Sequence, residues 1–255
     1  MSDSTMQVIG YWDVGDKQSY ALSNDSYTIL NGDTTKRTII KYNVDVTVLK
    51  ATESSYTIEW NYKNTFVNSY SPLIERCNKM NDNLKIIIKT DEFGGFQEVV
   101  NWKELKKHIE SSIDNLTDQE KSNPDLDKIM NERKTLYRTK TGIEQNAIKE
   151  IQQFYTYHGG KYTLGEKIAT KIQVVNNFGG ENFDCDFTLS LDELSPEDND
   201  GVLRMKQVVD SKQLTSETYS YLKKMSTTLK RELPAEKDFP ELTNETFTAS
   251  RIHGS

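Results

Sequence analysis

The residues of this chain that could do chemistry are its histidines, cysteines, paired carboxylates and glycine-rich turns. Histidine occurs three times, at His108, His158 and His253. No HExxH and no histidine pair at helical spacing is present, so the two-histidine face that grips a zinc ion is missing. His158 precedes Gly159-Gly160 at an expected helix end, where an imidazolium would complement the helix dipole. Cys77 and Cys185 form no CxxC unit; two buried thiols are expected, with one disulfide as the alternative in an exported chain. No Gly-x-Ser-x-Gly elbow, P-loop or GxGxxG turn is found. The stretch 195–201 ends in Asp-x-Asp-Gly like a calcium loop. Aligning Gly201 with the invariant glycine puts Pro196 first and Gln207 last, and neither ligates calcium well. Asp184 and Asp186 alternate with Phe183, Cys185 and Phe187, which places both carboxylates on a solvated strand face rather than in a cleft. These observations predict a non-enzymatic chain with no cofactor and no metal.

Charge narrows the partners. Against 32 Lys and Arg stand 39 Asp and Glu, a net charge of −7 without a basic cluster. Phosphate backbones and anionic lipid surfaces repel such a chain, so no nucleic acid is expected. No apolar run reaches the ~18 residues that cross a bilayer as helix. The polar start, residues 1–6, reads as a flexible leader, which fits a cytoplasmic protein or an exported one lacking its leader.

The elements that must position any site are mostly strands. In residues 38–50, Ile40, Tyr42, Val44, Val46 and Val48 alternate with Lys41, Asn43, Asp45 and Thr47. In residues 55–66, Tyr56, Ile58, Trp60 and Tyr62 alternate with polar residues, and Phe66 is placed on the same face. Period two with one apolar face predicts antiparallel strand, and the polar turn 51–54 makes the pair a hairpin. A fainter pair, 18–22 and 26–30, flanks Ser23-Asn24-Asp25, and 84–90 runs through Phe93-Gly94-Gly95 into 97–100. Trp102, Leu105, Ile109, Ile113 and Leu116 form one helical stripe, with Asn101 as the expected cap. A second helical stretch carries Ile129 and Met130. A third starts at Thr141 with Glu144 as its capping partner and carries Ile143, Ala147, Ile148, Ile151 and Phe154. A meander of 168–174, 183–191 and 203–209 follows. A last helix places Leu214, Tyr221, Leu222, Met225 and Leu229 inward, and 246–252 is extended.

The fold expected is α+β: a curved antiparallel sheet, in the limit a half-open barrel, with helices on one face. A single domain is expected. Because Phe93-Gly94-Gly95 and Phe178-Gly179-Gly180 each sit between strands ahead of a helix, two similar halves, 1–123 and 124–255, are the alternative. Two sets of aromatics are candidates for binding. Tyr42, Trp60, Tyr62 and Phe66 would floor an apolar ligand cavity between sheet and helices, or else pack as solid core. Phe93, Phe96, Phe178 and Phe183, at the glycine-rich loops, would form a partner-binding tip.

The segments Tyr11-Trp12-Asp13-Val14-Gly15-Asp16, 86–96 with its Phe-Gly-Gly-Phe end, and Asn177-Phe178-Gly179-Gly180 resemble uncharacterised exported, lipoprotein-like proteins of Bacteroidota. The resemblance carries no activity; it implies a bacterial, extracytoplasmic setting. The sheet and helix order is also similar to the half-open barrels of bacterial lipoprotein carriers, a likeness of fold alone. The expected function is non-enzymatic binding of an apolar small molecule or an envelope protein, with an interaction module built on a solid core as the alternative.

Overall fold

The computed structural model describes residues 4–30, 33–79, 82–119, 130–131, 134–178, 180–229 and 232–253. In chain order these form β1 (Thr5–Gln7), β2 (Lys17–Leu30), β3 (Asp33–Thr52), β4 (Ser55–Ser69), α1 (Pro72–Lys79), β5 (Lys85–Asp91), β6 (Phe96–Val99) and α2 (Trp102–Gln119). There follow α3 (Lys140–Asn146), α4 (Lys149–Tyr155), β7 (Lys161–Thr163), β8 (Lys167–Val174), β9 (Phe183–Ser195), β10 (Asp200–Val209), α5 (Ser211–Leu229) and β11 (Glu245–His253). Strand makes up 48% against 27% helix, and the sheets do not close into a barrel. Among the described residues every ladder between these strands is antiparallel. The class is therefore α+β on antiparallel sheet.

Packing gathers residues 9–159 into one compact unit and residues 1–8 with 160–255 into another. Neither coincides with the halves 1–123 and 124–255. Residues 120–129, with Ile129, lie outside the described residues; Met130 is buried.

The larger unit is a five-stranded sheet in the order β2-β3-β4-β5-β6. Register pairs Val44 with Tyr62, Ile58 with Ile88 and Trp60 with Ile86, so these side chains share one face. They are buried together with Leu105 of α2, Ile143 of α3, and Ile151 and Tyr155 of α4. The opposite face is wet and charged. On it Asp45 accepts from Lys63 at 2.6 Å and Ser19 at 2.7 Å and pairs with Lys17 at 3.0 Å, while Lys85 meets Glu59 at 3.1 Å. The hydrogen bonds from Lys63, Ser19 and Lys17 hold the Asp45 carboxyl well below the usual carboxylate range.

Local chemistry differs from the sequence reading at four places. Ser23-Asn24-Asp25 is no turn: β2 runs unbroken past it, because β3 is long enough to pair the whole stretch and Arg37 across the ladder takes Asp25 at 2.6 Å. Asn101 gives its side chain to β5 rather than to the helix: its Oδ1 accepts from Ile87 N–H at 2.8 Å and its Nδ2 donates to Lys85 O at 3.0 Å. The cap of α3 is Thr139, whose hydroxyl accepts from Gly142 N–H at 3.0 Å, and Glu144 instead accepts from Val99 N–H of β6 at 2.8 Å. A Cβ at Gly142 would stand 2.0 Å from Leu136 O, so this first turn closes only on glycine. The expected single third helix is two, broken at Ala147-Ile148, so Ile143, Ile148 and Ile151 all reach the core.

The smaller unit is a four-stranded sheet, β11-β10-β9-β8, with the short ribbon β1-β7. Phe183, Cys185, Leu189 and Leu191 of β9 are buried, as are Val202, Leu203, Met205 and Val209 of β10. Asp184 and Asp186 are exposed between them. Leu214 of α5 and Phe178 pack on Phe183, Cys185 and Val209. Cys185 is a free, buried thiol; the side chains of Cys77 and Leu229 lie outside the described residues. The 195–201 stretch is the β9-β10 hairpin turn, with Asp198 accepting from Ser195 Oγ at 2.7 Å.

Candidate protein-interaction surface

Strand β4 carries Trp60, Tyr62 and Phe66 of the predicted ligand floor, with Tyr42 on β3, and it changes face midway. Ile58, Trp60 and Tyr62 are buried in strict alternation, but Asn64 takes a left-handed φ of 54°. Asparagine tolerates that region better than most residues because its short amide bonds locally. One residue is added to the strand there, opposite the register shift between Lys41 and Asn43 of β3, and the alternation slips by one. Val67 turns inward at 7% exposure and Phe66 turns outward at 54%. Phe66 therefore lies on the face opposite Trp60, a correction to the expected shared face.

The inward part of the floor is filled by rings. Trp60 is fully buried and donates from Nε1 to the Tyr155 hydroxyl at 3.2 Å. Its ring meets Phe154 at 5.2 Å and Tyr155 at 5.9 Å, both close to edge-on. Trp12 extends the cluster to Tyr56 at 5.1 Å and to Tyr155 at 6.2 Å. Tyr42 meets Tyr62 at 5.2 Å with the two rings tilted. Burial, followed by the charge of Glu150, pushes the phenols of Tyr42 and Tyr62 upward, so both remain neutral hydroxyls.

His158 closes this cluster, 5.2 Å from Tyr155, 5.6 Å from Trp12 and 5.9 Å from Phe154. The imidazolium expected at the helix end is replaced by a neutral ring: burial lowers its pKa from 6.5 to about 4, against the raising effects of a backbone bond at Phe154 and the charge of Asp91. Periodicity does not mark Trp12 or Tyr155 as inward residues. Trp12 sits in an irregular segment with no period, and Tyr155 neighbours the helical position Phe154.

The outward part of β4 joins an open hairpin end. Tyr27 opposes Arg37, and Ser23 opposes Lys41, which in turn opposes Phe66, so Tyr27 and Phe66 share the outer face. Tyr27 is 61% exposed, and Ile29 and Tyr70 are exposed nearby in the hairpin and after β4. Lys36 lies 5.3 Å over the Tyr70 ring. Two shallow open depressions of about 300 Å³ lie here, one lined by Asp25, Tyr27, Thr34 and Arg37, the other reaching Lys36 and Tyr70.

The glycine-loop aromatics divide. Phe93 is exposed at the tip of a tight turn in which Asp91 Oδ1 accepts from the N–H groups of Phe93 at 2.9 Å and Gly95 at 2.7 Å, with Gly94 at φ 91°. Phe96 is half-buried against the larger core. In the smaller unit, Phe178 is half-buried against Tyr221 at 5.2 Å, and Phe183 is buried in the β9 row. Among the described residues, no three His, Cys, Asp or Glu side chains converge as metal ligands would. No described helix is long and apolar enough to cross a membrane. Comparison with protein-family models, with curated proteins and with solved structures finds no match to this chain.

Proposed function

We propose that the chain is a non-enzymatic, extracytoplasmic protein that binds a protein partner through the outer, aromatic end of its larger sheet. The observation that carries this reading is the slip at Asn64, which takes Phe66 out of the core and sets it on the face that carries exposed Tyr27. Large aromatics left wet on a strand face are the usual anchors of protein interfaces. Lys41 stands directly opposite Phe66 on this face, so the complementary surface is apolar with an acidic edge. The extracytoplasmic setting draws on the resemblance to exported proteins of Bacteroidota.

The apolar-ligand version, a half-open barrel holding a lipid-like molecule between sheet and helices, has less support. Its floor residues Trp60 and Tyr62 are already in contact with Phe154, Tyr155 and Tyr42. An inserted ligand would have to displace well-packed rings, each worth several kcal/mol of burial (about 2–4).

The test is in-cell photocrosslinking in a Bacteroidota envelope, with wild type beside a Tyr27→Ser, Phe66→Ser double variant. A specific crosslinked protein lost in the variant is the expected result. A partner retained unchanged by the variant, or a stoichiometric lipid found by native mass spectrometry, would overturn the reading.

A further inference from the structure

The long strand β2 forms one edge of the five-stranded sheet, and among the described residues nothing pairs with its outer side. Which amides face outward follows from β3. Val48 N–H donates to Asp16 O at 2.9 Å and Val48 O accepts from Gly15 N–H at 2.9 Å. Even-numbered residues of this part of β3 therefore aim their backbone groups at β2. Gln18, Tyr20, Leu22 and Asn24 stand opposite Val46, Val44, Tyr42 and Ile40 and use theirs in that ladder. Lys17, Ser19, Ala21, Ser23 and Asp25 consequently turn their N–H and C=O groups to the open edge.

Natural sheets usually guard such an edge with charge, proline or a bulge. Here residues 18–24 carry no charge and no proline, and the β2-β3 register runs without a shift from Lys17 to Thr28. The edge is open to a further strand, and its own sequence is complementary to itself.

We infer that β2 pairs antiparallel with β2 of a second copy of this chain about a two-fold axis at Ala21. In that register Lys17 faces Asp25 of the second copy and Asp25 faces its Lys17. Ser19 meets Ser23, Gln18 meets Asn24, Tyr20 meets Leu22, and the small Ala21 meets itself. Every cross-strand pair thus matches charge with opposite charge, polar with polar or apolar with apolar. A slip by two residues would set Lys17 against Ser23 and Asp25 against Gly15, or Lys17 against Tyr27 and Asp25 against Ser19, so the charges select this register. Pairing about a two-fold is isologous and closes at a dimer, joining two sheets into one and removing both free edges. This contact is separate from the outer aromatic face proposed above to bind a different protein.

Sedimentation velocity from low micromolar to submillimolar concentration tests it, because it reads self-association alone. Wild type is expected to dimerise. Ala21→Pro removes the N–H at the centre of the new ladder without touching the β2-β3 ladder, and Ala21→Lys sets like charges face to face there. Each is expected to raise the dimer dissociation constant roughly tenfold or more, with unchanged circular dichroism. Should the proline variant fail to fold, the lysine variant decides alone. A wild type that stays monomeric throughout, or a dimer that Ala21→Lys leaves as tight, overturns the inference.

Discussion

The two halves of β4, on either side of Asn64, both carry aromatic residues, with opposite fates. Before Asn64, Trp60 and Tyr62 are enclosed by Phe154, Tyr155 and Tyr42; after it, Phe66 stands in water while Val67 takes the inward place. Nothing in the side chains themselves makes the difference. A single left-handed residue shifts a period-two pattern by one, and that shift exchanges core for surface. Aromatic residues on a strand become either core or exposed surface according to backbone phase.

Four substitutions or titrations would break or sharpen this contrast. The largest effect falls on the inner half. Trp60→Ala empties a fully buried site and leaves the Tyr155 hydroxyl without its donor, so urea unfolding should show a loss of about 3–5 kcal/mol. A loss under about 1 kcal/mol would mean that the site is wet.

The next concerns His158, on the rim of the same cluster. Its pKa is depressed from 6.5 to about 4 in the fold, so the unfolded chain binds the proton more readily. Its contribution is fully present above the unfolded value near 6.5 and is lost as pH falls toward 4, by up to about 3 kcal/mol. Unfolding curves through this window should show the fall in wild type and a flatter profile in His158→Phe. Equal slopes in the two proteins would contradict a buried neutral imidazole.

At the slip itself, Asn64→Ala places a β-carbon in the left-handed region and should cost about 1 kcal/mol, whereas Asn64→Gly should be close to neutral. The reverse order would mean that the bulge is not fixed by backbone conformation. The smallest effect is on the outer half: Phe66→Ser should change stability by less than about 0.5 kcal/mol. A loss comparable with that of Trp60→Ala would place Phe66 in a core.

Legibility in the sequence followed the same physics. The alternations of β3, β4, β5, β9 and β10 were readable because one face of each is dry, and the stripe from Trp102 to Leu116 marked α2. The slip at Asn64 was not, since an apolar residue stands at both 66 and 67 and either phase is acceptable to the pattern. Ser23-Asn24-Asp25 has turn composition, yet the length of β3 overrides it. Thr141 and Asn101 were plausible caps by spacing, but Thr139 and β5 supplied better-placed partners. For the candidate site, Trp60 and Tyr62 were readable as inward residues, while Trp12, Tyr155 and His158 join them only through tertiary contacts from a loop and from α4 and its C-terminal turn. The exposed end formed by Tyr27 and Tyr70 carried no signal of its own, because exposure on a strand depends on what packs there.

The inner aromatic face of the larger sheet is closed by ring packing, which is what directs the proposed binding to the outer face. That closure is tested most directly by following the Trp60 indole N–H by nuclear magnetic resonance during titration with a fluorescent apolar probe. A slowly exchanging resonance that stays in place as probe is added is the predicted result. Rapid exchange with water, or a saturable movement of that one resonance, would contradict the account and return the ligand to the space between sheet and helices.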